Sequence, residues 1–196
     1  MDTVLTIATV ACWGTIVIVW IAAALRDALQ RPREPIRGEV EATTVILAVL
    51  ASAFVLIVLR GAARDLTVGG DWVRVVGLAV LLASTVFALW ARFSLGSSWS
   101  VGPNVGGDRR LRTRGPYGVT RHPIYTGLLG MLLGTTLLGG IGQWIALVAV
   151  GLIAFEAKIR MEERLLLATF PDEYRHYRDR VPQLIPGVRL SRRWRR

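Results

Sequence analysis

Arg121-His122-Pro123-Ile124-Tyr125-Thr126-Gly127 sets a guanidinium, an imidazole and a phenol around a proline, at the mouth of a long apolar run. At the far end of the same apolar block comes Glu156-Ala157-Lys158-Ile159-Arg160-Met161-Glu162-Glu163, dense in ionisable groups where a membrane span should end. Charge is costly at a bilayer boundary unless it is paired, so ionisable residues there are candidates for function. Pro123 suits the first turn of a helix, which places Arg121 and His122 at a helix entry, near backbone N–H groups that have no helical acceptor. Such an entry suits a polar or anionic group. The bland alternative has Arg121 snorkelling to lipid head groups while Tyr117, His122 and Tyr125 form an interfacial belt. In the second cluster Glu156, Arg160 and Glu163 share one helical face, and Lys158 and Glu162 make a separate i, i+4 pair. Its bland alternative is a solvated helix end of mixed charge.

These clusters need elements to hold them. Fifty-three per cent of the 196 residues are hydrophobic and the mean hydropathy is +0.45, a balance that points to an all-α integral membrane protein folded as a single domain. Apolar runs predict spans near 4–25, 43–59, 73–91, 124–138 and 143–157. The fourth and fifth are joined by Gly139-Gly140-Ile141-Gly142 and must form a tight hairpin. Met1-Asp2 lacks the positive start of a signal peptide and the first run is too long for one, so it is expected to remain as a span.

The net charge of +10 invites a nucleic-acid reading. Most of the basic residues, however, flank apolar runs, where they act as topology signals and head-group contacts, so no nucleic-acid partner is expected and membrane lipids are. Twenty-three of the 24 basic residues are Arg, and Lys158 is the sole lysine. Four lie between spans one and two, six between three and four and eleven from Lys158 onward, against three on the opposite side. The positive-inside rule then puts the N-terminus outside and the C-terminus in the cytoplasm, with both chemical clusters facing the cytoplasm. Past span five, Leu165-Leu166-Leu167, Phe170, Tyr174, Tyr177 and Val181 predict an amphipathic cytoplasmic helix over the mouth of the bundle. The lone Cys12 permits no internal disulfide and no cysteine-based metal site, and no metal is expected. Gly69-Gly70 and Gly106-Gly107 lack the strand-turn-helix setting of a dinucleotide-binding loop. Gly127, Gly130 and Gly134 make a small-residue face along span four, expected to pack within the bundle and to bring that helix close to span five.

Trp99-Ser100, Gly115-Pro116-Tyr117, Arg121-His122-Pro123-x-Tyr125-x-Gly127, Glu162-Glu163-x-x-Leu166, Phe170-x-x-x-Tyr174-x-x-Tyr177 and Arg180-Val181-Pro182, in this order, cover roughly 95–186. The set resembles the isoprenylcysteine carboxyl methyltransferase family in its short prokaryotic form, which implies a bacterial inner-membrane enzyme. The resemblance implies S-adenosylmethionine (SAM) as cofactor, held in a cytoplasmic pocket between the last two helices and the segments flanking them. Carried over, it lines that pocket with the backbone around Leu111 and Arg112, with Tyr117, His122, Pro123 and Tyr125, and gives Glu162 the polar end of the cofactor. The family's basic residue on the acceptor side falls on Lys158, with Arg160 its neighbour, so Lys158, Arg160 and Glu163 are the candidate catalytic groups. The implied partner is a lipophilic small-molecule or prenylated acceptor, with carboxyl O-methylation the first expectation and an isoprenoid acid, a phospholipid amine or a lipophilic thiol all fitting the same lateral entry. Two departures stand out: Lys158 where the family commonly has Arg, which removes a bidentate carboxylate contact, and Phe170-Pro171 in place of Phe-Gly. An NADPH-dependent membrane sterol reductase and a noncatalytic lipid-binding protein are the competing readings.

Overall fold

The structure is a computed structural model that describes residues 3–30, 70–95, 111–139 and 141–188, among which there are helices and no strand. The helices are α1 (Thr3–Gln30), α2 (Asp71–Leu95), the single turn α3 (Pro116–Val119), α4 (Pro123–Gly139), α5 (Ile141–Thr169) and α6 (Pro171–Arg180). Four of the five expected spans fall on α1, α2, α4 and α5. The second, near 43–59, lies outside the described residues, as do Trp99-Ser100, Gly106-Gly107, Arg109-Arg110 and the basic tail from 191 onward.

Local chemistry sets the boundaries. Pro123 occupies the first turn of α4, where its missing N–H costs nothing, and Gly139 ends that helix one residue from the next. No comparable breaker follows the fifth apolar run. Glu, Lys, Arg, Met, Leu and Ala are all good helix formers, so α5 carries its charged cluster on to Thr169 as one rod. Pro171 stops it there by pushing Phe170 out of helical geometry, to φ −130° and ψ 65°, and then starts α6. Pro171 therefore makes a helix junction. Asp172 and Glu173 in the first turn of α6 and Arg178 and Arg180 in its last turn complement the helix dipole. Gly115 takes φ 65°, a left-handed value open to glycine, and so turns the chain into α3.

The described residues fall into two compact units, Met1–Leu82 with Leu132–Gly151, and Ala83–Met131 with Leu152–Arg196. In the first, Trp13 Nε1 donates to Thr135 Oγ1 at 3.2 Å, and Cys12, Ile16, Leu81 and Leu138 are buried. In the second, Ala88, Ala91, Leu128, Met131, Phe155 and Ile159 are buried, joined by Tyr174 and Tyr177 from α6.

The glycine face of α4 packs inside the molecule as expected, but against a different helix. A Cβ on Gly127 would lie 2.7 Å from that of Ala88, and one on Gly134 would lie 2.6 Å from the backbone nitrogen of Leu81. Both partners belong to α2. On the α2 side, a Cβ on Gly77 would meet the Cβ of Leu137 at 2.9 Å and the Gly134 carbonyl at 3.1 Å. The small residues thus serve span three, correcting the expectation that they approach span five. The one-residue connection already holds α4 and α5 in sequence, whereas α2 has no such tether and gains most from a close-packed seam.

Large apolar side chains remain exposed along the long helices, among them Val4 at 73%, Ile18 at 67% and Leu29 at 86%. Thr3–Ala23 and Asp71–Leu95 are long and apolar enough to cross a bilayer. Only an apolar solvent covers such surfaces at no cost, and the protein is an integral membrane protein.

Candidate active site

Arg121 and His122 lie in the turn between α3 and α4, and the last described segment fastens that turn. The Arg121 amide donates to the Pro182 carbonyl at 2.8 Å, and the His122 amide donates to that of Gln183 at 3.2 Å. Thr126 Oγ1, one turn into α4, contacts the Leu184 carbonyl at 2.7 Å. Residues 182–184 therefore form a strap across the helix entry. This corrects the expectation of an open anion site: the amides of Arg121 and His122 already have acceptors, and Pro123 has no N–H to offer.

The side chains of the turn reach α5. Arg121 Nη2 lies 2.9 Å from Glu163 Oε1, and Nη1 donates to the Arg178 carbonyl at 3.1 Å. With its side chain 7% exposed, Arg121 is a buried ion-pair partner, and the snorkelling alternative does not hold. His122 sits between two carboxylates, Nε2 3.3 Å from Glu163 Oε1 and Nδ1 3.5 Å from Glu162 Oε2. Tyr125 donates its hydroxyl to Glu162 Oε1 at 2.5 Å. The rings of His122, Tyr125 and Phe155 stack in series, with centroids 5.9 Å and 5.1 Å apart. The expected ion pair between Lys158 and Glu162 is absent, because Glu162 turns instead to the Tyr125 and His122 side.

Burial alone would pull the His122 imidazole down. The hydrogen bonds and charges of Glu162 and Glu163 overcome this and hold it above its ordinary value. Burial pushes Glu163 up, but His122 and the Arg121 guanidinium outweigh it, and the carboxyl settles below its ordinary value. Burial, then the Glu163 charge, drives the Tyr174 phenol upward. Burial, Tyr177 and Glu162 raise the Tyr117 phenol in the same way. The formal charges of Arg121, protonated His122, Glu162 and Glu163 cancel, which is what a low-dielectric cluster requires.

The expected site residues divide clearly. His122, Tyr125, Glu162 and Glu163 form one connected cluster, and Pro123 is fully buried within the turn that carries them. Tyr117 joins from α3, its carbonyl accepting from Tyr177 Oη at 2.6 Å. Leu111 is half-buried and Arg112 exposed, at the start of the stretch leading into α3. Lys158 is 5% exposed, one helical turn before Glu162. Arg160 points outward, its side chain 69% exposed, with Nε 2.9 Å from Glu156 Oε1. Glu156 also accepts from Gln183 Nε2 at 2.9 Å, so the strap is tied to α5 as well as to the turn. Gln183 and Thr126 were missed from the sequence. Contacts between residues 121–126 and 182–184 leave no periodic signal, and the one cue is that Val181-Pro182 breaks the helix early enough for extended chain to return.

An acidic pair, held by buried cations and flanked by an aromatic stack, suits a cationic, partly planar ligand, and residues 72–173 match the phospholipid methyltransferase family. The chain belongs to that family. The cobalt-zinc-cadmium resistance protein CzcN of Cupriavidus metallidurans is 32% identical over 131 residues, covering 63% of this chain and 55% of that protein. The protein-S-isoprenylcysteine O-methyltransferase of Schizosaccharomyces pombe is 36% identical over 84 residues, 41% of this chain and 35% of that protein. The resemblance carried by the motifs is borne out in that relative. A solved eukaryotic intramembrane Ras methyltransferase, isoprenylcysteine carboxyl methyltransferase, shares the fold, with a TM-score of 0.55 and 24% identity over 78% of this chain and 55% of that one. The chain spans about half the length of CzcN and of the solved structure, and less of the yeast enzyme. Among the described residues no three His, Cys, Asp or Glu side chains gather as a metal site.

Proposed function

We propose that this family member is a SAM-dependent methyltransferase acting on a lipophilic acceptor that carries a carboxylate. The observation that supports it most is the Glu162-Glu163 pair, fixed by Arg121, His122 and Tyr125 beside a buried lysine. SAM supplies a methyl group on a positively charged sulfur, and the residues present fit such a group. Glu162 keeps 23% of its side chain exposed, against 18% for Glu163 and 5% for His122, so it has room to accept a ligand ammonium. Leu111, Arg112, Tyr117, His122, Pro123 and Tyr125 are assigned to the cofactor side.

On the acceptor side, burial separates the two basic candidates. Arg160 is exposed and engaged by Glu156, whereas Lys158 is buried on the helix that carries the acidic pair. Lys158 is therefore assigned to steer an anionic head group, as a single point charge. A carboxylate is already ionised at neutral pH and requires no general base. The work left to the protein is to orient the acceptor and exclude water, and positioning of that kind is worth up to about 7–11 kcal/mol. Lateral entry from the bilayer, five spans and a cytoplasmic site complete the reading.

Calorimetric titration with S-adenosylhomocysteine and, separately, NADPH tests it. Saturable binding of the first, lost in Glu162→Ala, is expected. Binding of NADPH alone would make the protein a reductase, and binding of neither a noncatalytic lipid protein.

A further inference from the structure

His122 meets a carboxylate at each ring nitrogen, Glu162 from Nδ1 and Glu163 from Nε2. A neutral imidazole has one N–H and one lone pair, so it would turn that lone pair on one of the carboxylates. Only the imidazolium satisfies both. Other groups facing this ring are Arg121 and the Tyr125 phenol from its own turn and helix, with Tyr174 from α6 beyond Glu163, Tyr117 from α3 beyond Glu162, and Lys158 one turn earlier on α5. None of them adds a carboxylate. Among Arg121, His122, Glu162 and Glu163, two cations stand against two carboxylates, and that balance depends on a single titratable proton.

SAM at neutral pH bears one net positive charge, its sulfonium and ammonium against one carboxylate. Its demethylated product, S-adenosylhomocysteine, bears none. We infer that His122 is a proton-linked charge sensor: it releases its proton when a ligand of net positive charge enters beside Glu162, and retains it for a net-neutral one. The inference rests on the methyltransferase reading of the site. The ammonium common to both ligands pairs with Glu162 in either case, so the further positive charge at the sulfonium, present only in the charged ligand, is what repels the imidazolium and favours the neutral ring. Deprotonated, the cluster carries one net negative charge, which balances the incoming one. After methyl transfer that balance is gone, the ring recovers its proton from water, and the neutral product is held less tightly. Affinity for the charged ligand rises with pH through the His122 titration, up to about tenfold per pH unit, while affinity for the neutral one stays flat.

The chain has two histidines, and His176 is exposed on α6, so ring-nitrogen NMR of histidine-labelled protein gives one reporter and one internal reference. The titrations use sinefungin, an unreactive SAM analogue in which a protonated amine stands in for the methylated sulfur, and S-adenosylhomocysteine, each between about pH 6 and 8. The expected result is an imidazolium signature for His122 in the free protein, loss of it with saturating sinefungin, and its persistence with S-adenosylhomocysteine. His122→Gln should abolish the pH dependence of sinefungin binding. If that variant fails to fold, the wild-type spectra decide alone. Both ligands binding with the same effect on His122, or with none, overturns the coupling and leaves the methyltransferase reading in place. Neither ligand binding overturns that reading and the coupling together.

Discussion

At the scale of single residues, the acidic pair and its cations make the fold depend on pH from both sides. His122 is held above its ordinary 6.5, so its contribution is full below that value and is lost as pH rises through the folded-state value. Glu163 is held below 4.5, so its contribution is full above that value and is lost as pH falls through the lower folded-state value. Thermal unfolding in detergent should therefore show a plateau between two declining limbs, and His122→Gln should flatten the alkaline limb and shrink the acid one, because His122 also helps hold Glu163 down. An alkaline limb that survives the substitution would mean another group controls it. Arg121→Ala leaves Glu163 with a weaker partner in a mostly buried site and should cost about 3–5 kcal/mol, read as a lowered unfolding midpoint. The residue types at this site were legible in the sequence, because charges beside an apolar run are conspicuous. Which charge meets which was not. An i, i+4 spacing pointed Lys158 at Glu162, but the short hydrogen bond from Tyr125 took that carboxylate, through a contact between different helices.

At the scale of elements, legibility followed the breakers. The hairpin of α4 and α5 was readable almost to the residue, since Pro123 and Gly139-Gly140 punctuate it. The end of α5 was not, because hydropathy marks where a membrane stops and says nothing about where a helix does. The seam between α2 and α4 gives a graded test. At Gly127 an added methyl meets backbone and side chain of the facing helix, and at Gly134 it meets backbone, so alanine there should destabilise by about 1–3 kcal/mol. At Gly130 it meets Ser84, whose hydroxyl can rotate away but whose Cβ stays at 2.9 Å, one remaining clash, so alanine should be milder without being free. Equal costs at all three positions, measured by thermal unfolding, would argue against a tight seam. The strap belongs to this scale too. Thr126→Val keeps the shape of the side chain but removes its hydrogen bond to the Leu184 carbonyl, and should weaken S-adenosylhomocysteine binding several-fold in calorimetry without abolishing it.

At the scale of the whole molecule, the proposed orientation rests on the uneven distribution of arginine and puts residues 96–122 and the C-terminal segment on the same, cytoplasmic side. Cysteines introduced singly at Val105 and Ser191 in a Cys12→Ser background should react with an impermeant thiol reagent only after cells are opened. Labelling of intact cells at either position would reverse or break the topology. Composition gave the membrane class outright, whereas the division into two compact units lay beyond it, because the same helices run through both. The scarcity of lysine has a practical consequence. With Lys158 the sole lysine and almost wholly buried, the protein has one side-chain primary amine, and it sits at the acceptor side of the proposed site. Acylation read by mass on the peptide that carries Lys158, and so apart from the chain's α-amine, would count a single event. Its rate would clock how often the site opens, and a bound lipid would announce itself as protection, before anyone knew which lipid it was.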